Sequence, residues 1–139
     1  MPLPMEYQHA SDDFERFLAD ARERADLVTR NQTWTMVDAV LRVFRRRLSV
    51  TEGLRFAEVL PPLLRAMFVV DWDVTAEPVP FASRAAMTTE VQAVRGNHNF
   101  APDTAIACVA GALRAAMTAD TLDRVLADLP EEARDYWVV

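Results

Sequence analysis

At 139 residues, 51% of them hydrophobic and 26% charged, the chain has material for one compact domain that closes a core without staples or a metal, and is short for two independent domains. Its net charge of -6 lacks the positive field that draws proteins to nucleic-acid backbones or anionic membranes, its single cysteine excludes an internal disulfide, and no apolar run approaches the roughly 20 residues of a bilayer span. The first residues, Met1 to Glu6, lack the basic-then-apolar order of a secretion signal, so the expected location is cytoplasmic.

Three glycines and eight prolines, the prolines at segment edges, predict an all-α fold of about eight helices rather than a sheet punctuated by glycine turns. Residues 1–10 read as an N-terminal tail and 11–139 as a single domain. The first predicted helix runs from Ser11 to about Leu27, with Ser11 as cap and Phe14, Phe17, Leu18 and Ala21 at helical spacing. After the polar break Asn31-Gln32-Thr33, with Thr33 as cap, a second runs from about Trp34 to Leu48 and carries the stripe Val37, Val40, Leu41, Phe44, Leu48. Ser49-Val50-Thr51-Glu52 has the form of a capping box and opens a third helix to about Val59. Leu60-Pro61 resets the chain, because proline fits the first turn of a helix and not its interior, and a fourth helix extends to about Phe68. β-branched residues cluster at Phe68 to Trp72, which would suit a short strand, but no partner strand is visible. A connector with Pro78 and Pro80 fills 73–82; Ser83 then caps a helix to about Arg95, ended by Gly96, and Asn97-His98-Asn99 is loop.

From that point the chain repeats itself. Sliding Thr35 onto Thr104, an offset of 69 residues, superposes Val40 on Val109, Arg45 on Arg114, Arg55 on Arg124, Leu60 on Leu129, Pro61 on Pro130 and Arg65 on Arg134, all identical. The stripe continues as Ile106, Val109, Ala110, Leu113 and Met117, the cap Ser49 falls on Thr118, and Phe68 on Trp137. The expectation is two tandem pseudo-symmetric repeats, 11–72 and 83–139, sharing one core, since a single unit of this size closes a core poorly.

Leu60-Pro61-Pro62-Leu63-Leu64-Arg65, followed by an aromatic and Trp72, resembles the central signature of the bacterial domain of unknown function 2267, as does the closing stretch Leu129 to Trp137. The resemblance covers nearly everything from Ser11 onward and departs where the family carries a glycine and paired tyrosines, here Ala66-Met67-Phe68-Val69-Val70. It implies a small all-α cytoplasmic protein without assigned activity or catalytic residues.

The residues themselves offer little chemistry. His9, His98 and Cys108 lack metal-site spacing, the lone Glu6-x-x-His9 has no second copy, and Cys108 reads as a small buried hydrophobe. Ser11, Ser49 and Ser83 are accounted for as caps, and no glycine-rich phosphate loop exists. No cofactor is expected. Arg42, Arg45, Arg46 and Arg47 form the one strong basic patch, a candidate contact for nucleic acid or an acidic partner, or else a solvated helix end paired with acids such as Glu52; the acidic balance argues against nucleic acid. Arg65 and Arg134, with Trp72, are candidates for gripping an anion between the repeats, or for bonding carbonyls at helix junctions, and Arg55 and Arg124 pose the same choice. Trp34, Trp72, Trp137, Phe14, Phe17, Phe44 and Phe68 are core candidates, and the apolar end Tyr136 to Val139 is expected to dock on the body or on a partner. The leading expectation is therefore a non-catalytic protein-interaction or regulatory module, self-association included, with small-molecule binding between the repeats as the alternative.

Overall fold

The computed structural model describes residues 2–118 and 120–139; Met1 and Ala119 lie outside them. The described residues form nine α-helices and no strand: α1 Met5–Gln8, α2 Ala10–Ala25, α3 Arg30–Arg45, α4 Val50–Val59, α5 Pro62–Val69, α6 Arg84–Ala93, α7 Ala105–Ala116, α8 Thr121–Ala127 and α9 Glu131–Tyr136, with a 3-10 turn at Gly96–His98. The chain is all-α, as its composition implies.

Local chemistry accounts for most boundaries. At α4 the Glu52 amide donates to Ser49 Oγ at 3.2 Å while the Ser49 amide donates to Glu52 Oε1 at 2.8 Å, closing the capping box read from the sequence. Ser83 likewise accepts from the Ala86 amide at the head of α6. Two caps differ from expectation. Ser11 lies inside α2, which starts at Ala10 behind His9 with no side-chain cap, and α3 is capped by Thr29 and Gln32 in a second reciprocal box, leaving Thr33 buried in the helix. Thr118, at the position equivalent to Ser49, does not cap α8; the N-cap there is Asp120. The Phe68 to Trp72 stretch is not a strand: α5 continues to Val69, and Asp71 turns the chain with φ 53°.

Helix α3 runs through the centre, packing against α2, α5, α6 and α7, while α2 lies along α7 and α4 along α8. Its stripe Val37, Val40, Leu41 and Phe44 is almost wholly buried. Phe44 is the hub of an aromatic cluster, with ring centroids 4.8 Å from Phe56, 5.0 Å from Tyr136 and 5.3 Å from Trp137. Trp137 is 0% exposed, and Tyr136 donates its hydroxyl to Val40 O at 2.7 Å. The C-terminal aromatic pair is thus part of the core. Burial drives the Tyr136 phenol far above its ordinary range, so it stays a neutral donor.

Corresponding positions at the 69-residue offset share a side-chain contact. Arg45 Nη1 donates to Phe68 O at 2.9 Å, and Arg114 Nε donates to Trp137 O at 3.0 Å, each tying the end of a long helix to the chain leaving a short one. The likeness fails at the other end of the long helices. The stretch equivalent to the first turn of α3 is the irregular Asn99–Thr104, where Pro102 precedes a helix beginning only at Ala105.

Candidate functional site

The basic patch at the end of α3 is largely built into the fold, not a solvated helix end. Arg45 is 8% exposed: its guanidinium donates to Phe68 O and, at 2.8 Å, to Val70 O, and lies 5.6 Å from the centroid of the Trp72 ring. Arg47, 6% exposed, donates to Val43 O at 2.9 Å, to Pro80 O at 3.3 Å and to both carboxylate oxygens of Glu90. Arg46 also reaches Glu90, at 3.0 Å, and Arg42 pairs with Asp38 at 3.0 Å. Glu52, the acid named for this role, is occupied by its own capping box. The Arg47 hydrogen bond holds the Glu90 carboxyl below its ordinary value, and burial lowers Arg45. These arginines strap the 70–82 connector to α3. A guanidinium suits that task because its five donors reach several carbonyls at once.

Arg65, Arg134 and Trp72 do not converge. Arg65 donates to Ala57 O, Glu58 O and Leu60 O at 3.0–3.2 Å, closing the C-terminal end of α4, and reaches Tyr7 Oη at 3.3 Å. Trp72 sits at the opposite end of the same helix, over Gly53, where a Cβ would overlap its ring. Arg134 is exposed on α9, and its side chain makes no hydrogen bond among the described residues. The other arginine pair does come together. Arg55 on α4 and Arg124 on α8 line one cleft of about 400 Å³, but Glu58 and Asp128 line it too and balance the charge.

A larger cleft, of about 440 Å³, opens where the start of α3 meets the α6–α7 connector. Trp34, Asn31 and Thr35 line it from α3, and Arg95, His98 and Phe100 from the connector. Trp34, expected in the core, is 40% exposed, and Phe100 is 58% exposed. Trp34 continues the apolar stripe of α3 one turn beyond the core, where it meets the Phe14 ring edge-on with centroids 6.1 Å apart. Gln32 also borders the cleft, but its amide oxygen accepts from Val28 and Thr29 in the α3 cap. Arg95 Nη1 lies 3.5 Å from Thr35 Oγ1, a long contact and the guanidinium's one polar partner among the described residues. Thr35 can accept it, because its own proton goes to Asn31 O.

The lining contains no carboxylate. In a chain of net charge -6 that is informative, since four other clefts each include at least one. Exposed rings, the Asn31 side-chain amide and an arginine without an acid are recognition chemistry of the kind small-ligand pockets use.

Fold and cleft together define a compact all-α protein with an open cleft at a helix junction. A family model described as an uncharacterized conserved protein, DUF2267, matches residues 14–136, and the chain belongs to that family. Among curated proteins none matches the chain. No single described helix is long and apolar enough to cross a membrane.

Proposed function

We propose that this protein is a non-catalytic binding protein that holds a small, flat molecule in the cleft between α3 and the α6–α7 connector. One observation carries the reading: two substantially exposed aromatic side chains, Trp34 and Phe100, line the same 440 Å³ space from different elements. Large aromatics left in water beside a concave surface gain from a partner ring, by stacking as well as by burial. In this reading the chain is a cytoplasmic bacterial protein formed by duplication, and the cleft arose where the second copy lost its first helical turn. The matched Arg45–Phe68 and Arg114–Trp137 contacts support the duplication.

The test is a thermal-shift screen of a metabolite collection on the intact protein and on a Trp34→Ala/Phe100→Ala variant. A ligand that raises the melting midpoint of the first and not of the second supports the reading, because preferential binding to the native state stabilises it. Stabilisation that survives in the variant, or none by any flat compound, contradicts it.

A second reading, protein interaction or self-association, is favoured by the N-terminal segment. Leu3 and Met5 are exposed there, beside Tyr7, whose hydroxyl is tied to Arg65 on the helix that also exposes Leu63. Sedimentation of a chain lacking residues 2–9 tests it: a smaller species than the full chain supports association, and an unchanged one excludes self-association through this segment.

A further inference from the structure

Among the described residues three non-glycine residues have positive φ: Asp26, Asp71 and Arg95. Aspartate tolerates the left-handed region because its short side chain bonds locally; arginine has no such compensation, and the conformation is strained. Arg95, at φ 59° and ψ 18°, is therefore the residue whose backbone is least suited to its side chain. Gly96 follows immediately at φ 39°, so a glycine was within one residue of the strained position. What the strained backbone achieves is visible at the other end of the side chain. The guanidinium reaches across to Thr35 and stands on the lining of a cleft without a carboxylate, next to two exposed rings.

We propose that Arg95 is the anchoring residue of this cleft and that its ligand is a flat aromatic molecule bearing one carboxylate or phosphoryl group. The inference rests on the cleft being a ligand site and adds the ligand's charge and the residue that reads it. Arginine's planar fork matches either anion through two parallel N–H···O bonds, and four of its five donors have no partner among the described residues. A stacked ring between Trp34 and Phe100 would shield such a pair from water and strengthen it. The Arg55 and Arg124 cleft lacks both features, having two carboxylates on its lining and no aromatic ring.

The experiment titrates the protein with indole-3-acetate, its uncharged counterpart indole-3-acetamide, and phenyl phosphate, followed by chemical-shift changes at the Trp34 indole N–H. The same titrations are made with Arg95→Gly and, should that chain fold poorly, with Arg95→Asn, which also tolerates positive φ. The intact protein is expected to prefer the acid over the amide by about tenfold or more. Arg95→Gly is expected to melt at or a few degrees above the intact protein, to weaken for the amide far less than for the acid, and so to lose the preference. Tighter binding of phenyl phosphate than of the carboxylate, lost in the same variant, assigns a phosphoryl ligand; the reverse order assigns a carboxylate. An acid preference that persists in Arg95→Gly overturns the role of Arg95 while leaving the cleft a ligand site. Absence of binding by all three probes to the intact protein overturns both.

Discussion

The two ends of α3 both meet arginine, and they use it in opposite ways. At the C-terminal end Arg42, Arg45, Arg46 and Arg47 are all engaged, with carboxylates or with the carbonyls of the connector, and two of them are buried. At the N-terminal end Arg30 pairs with Glu15, but Arg95, brought in from a distant segment, stands in an acid-free cleft with one long contact. A dense run of basic residues thus marks where this fold is tied together. The isolated arginine, held by an unfavourable backbone, has donors without partners among the described residues, and on the proposed reading these are its offer to a ligand.

Removing the ties should cost far more than removing the isolated charge. Replacing Arg45 by methionine keeps much of the apolar stem but leaves Phe68 O and Val70 O without their donor; the expected loss is about 3 kcal/mol. That is roughly a 10 °C drop in the melting midpoint for a chain of this size. A change below 2 °C by calorimetry would mean that the strap does not hold the connector.

The seat of Trp72 gives a smaller effect. Gly53→Ala places a methyl group against the Trp72 ring, and the strain of about 1–3 kcal/mol outweighs the gain of about 1 kcal/mol from helix propensity. The net is a modest destabilisation, relieved in Gly53→Ala/Trp72→Leu; a stabilised single variant would break the account of that contact.

The Glu90 tie should appear in acid. Its folded carboxyl titrates below its ordinary value of 4.5, so its contribution is complete at neutral pH and disappears as pH falls through the lowered folded value. Glu90→Gln should therefore flatten the acid limb of a stability-against-pH curve and leave the neutral slope unchanged. An acid limb as steep as that of the intact chain would place the linkage in other carboxylates.

Much of the scaffold was legible in the sequence because its signals are local. The Ser49 and Ser83 caps, the Leu-Pro resets and the stripe of α3 each follow from residues a few positions apart. Thr29 with Gln32 carries the same capping signal as Ser49 with Glu52, so the start of α3 was readable although Thr33 is the more tempting cap beside the apolar stripe. The cleft was not readable, for two physical reasons. Helix α6 stops at Ala93, short of the expected Arg95, because Asn99 Nδ2 donates to Val91 O at 2.6 Å and to Val94 O at 2.7 Å, a cap made from beyond the helix. That early stop turns Arg95 from a last helical residue into a left-handed one facing α3. Trp34 has the spacing of a core residue, yet it borders the cleft beside the irregular stretch before α7 and is 40% exposed. The paired arginines part company: Arg65 bonds the carbonyls that close α4, one of the two roles read for it, whereas the side chain of Arg134, at the equivalent position, makes no hydrogen bond among the described residues.

The contrast between the two ends of α3 is tested most directly by the melting midpoints of Arg45→Met and Arg95→Gly, measured together against the intact chain. The account predicts a fall of roughly 10 °C for the first and an unchanged or slightly raised midpoint for the second, the relief of left-handed strain being worth up to about 1 kcal/mol. A comparable loss in both would make Arg95 another tie in the scaffold, and the contrast between a structural and a recognition arginine would not hold.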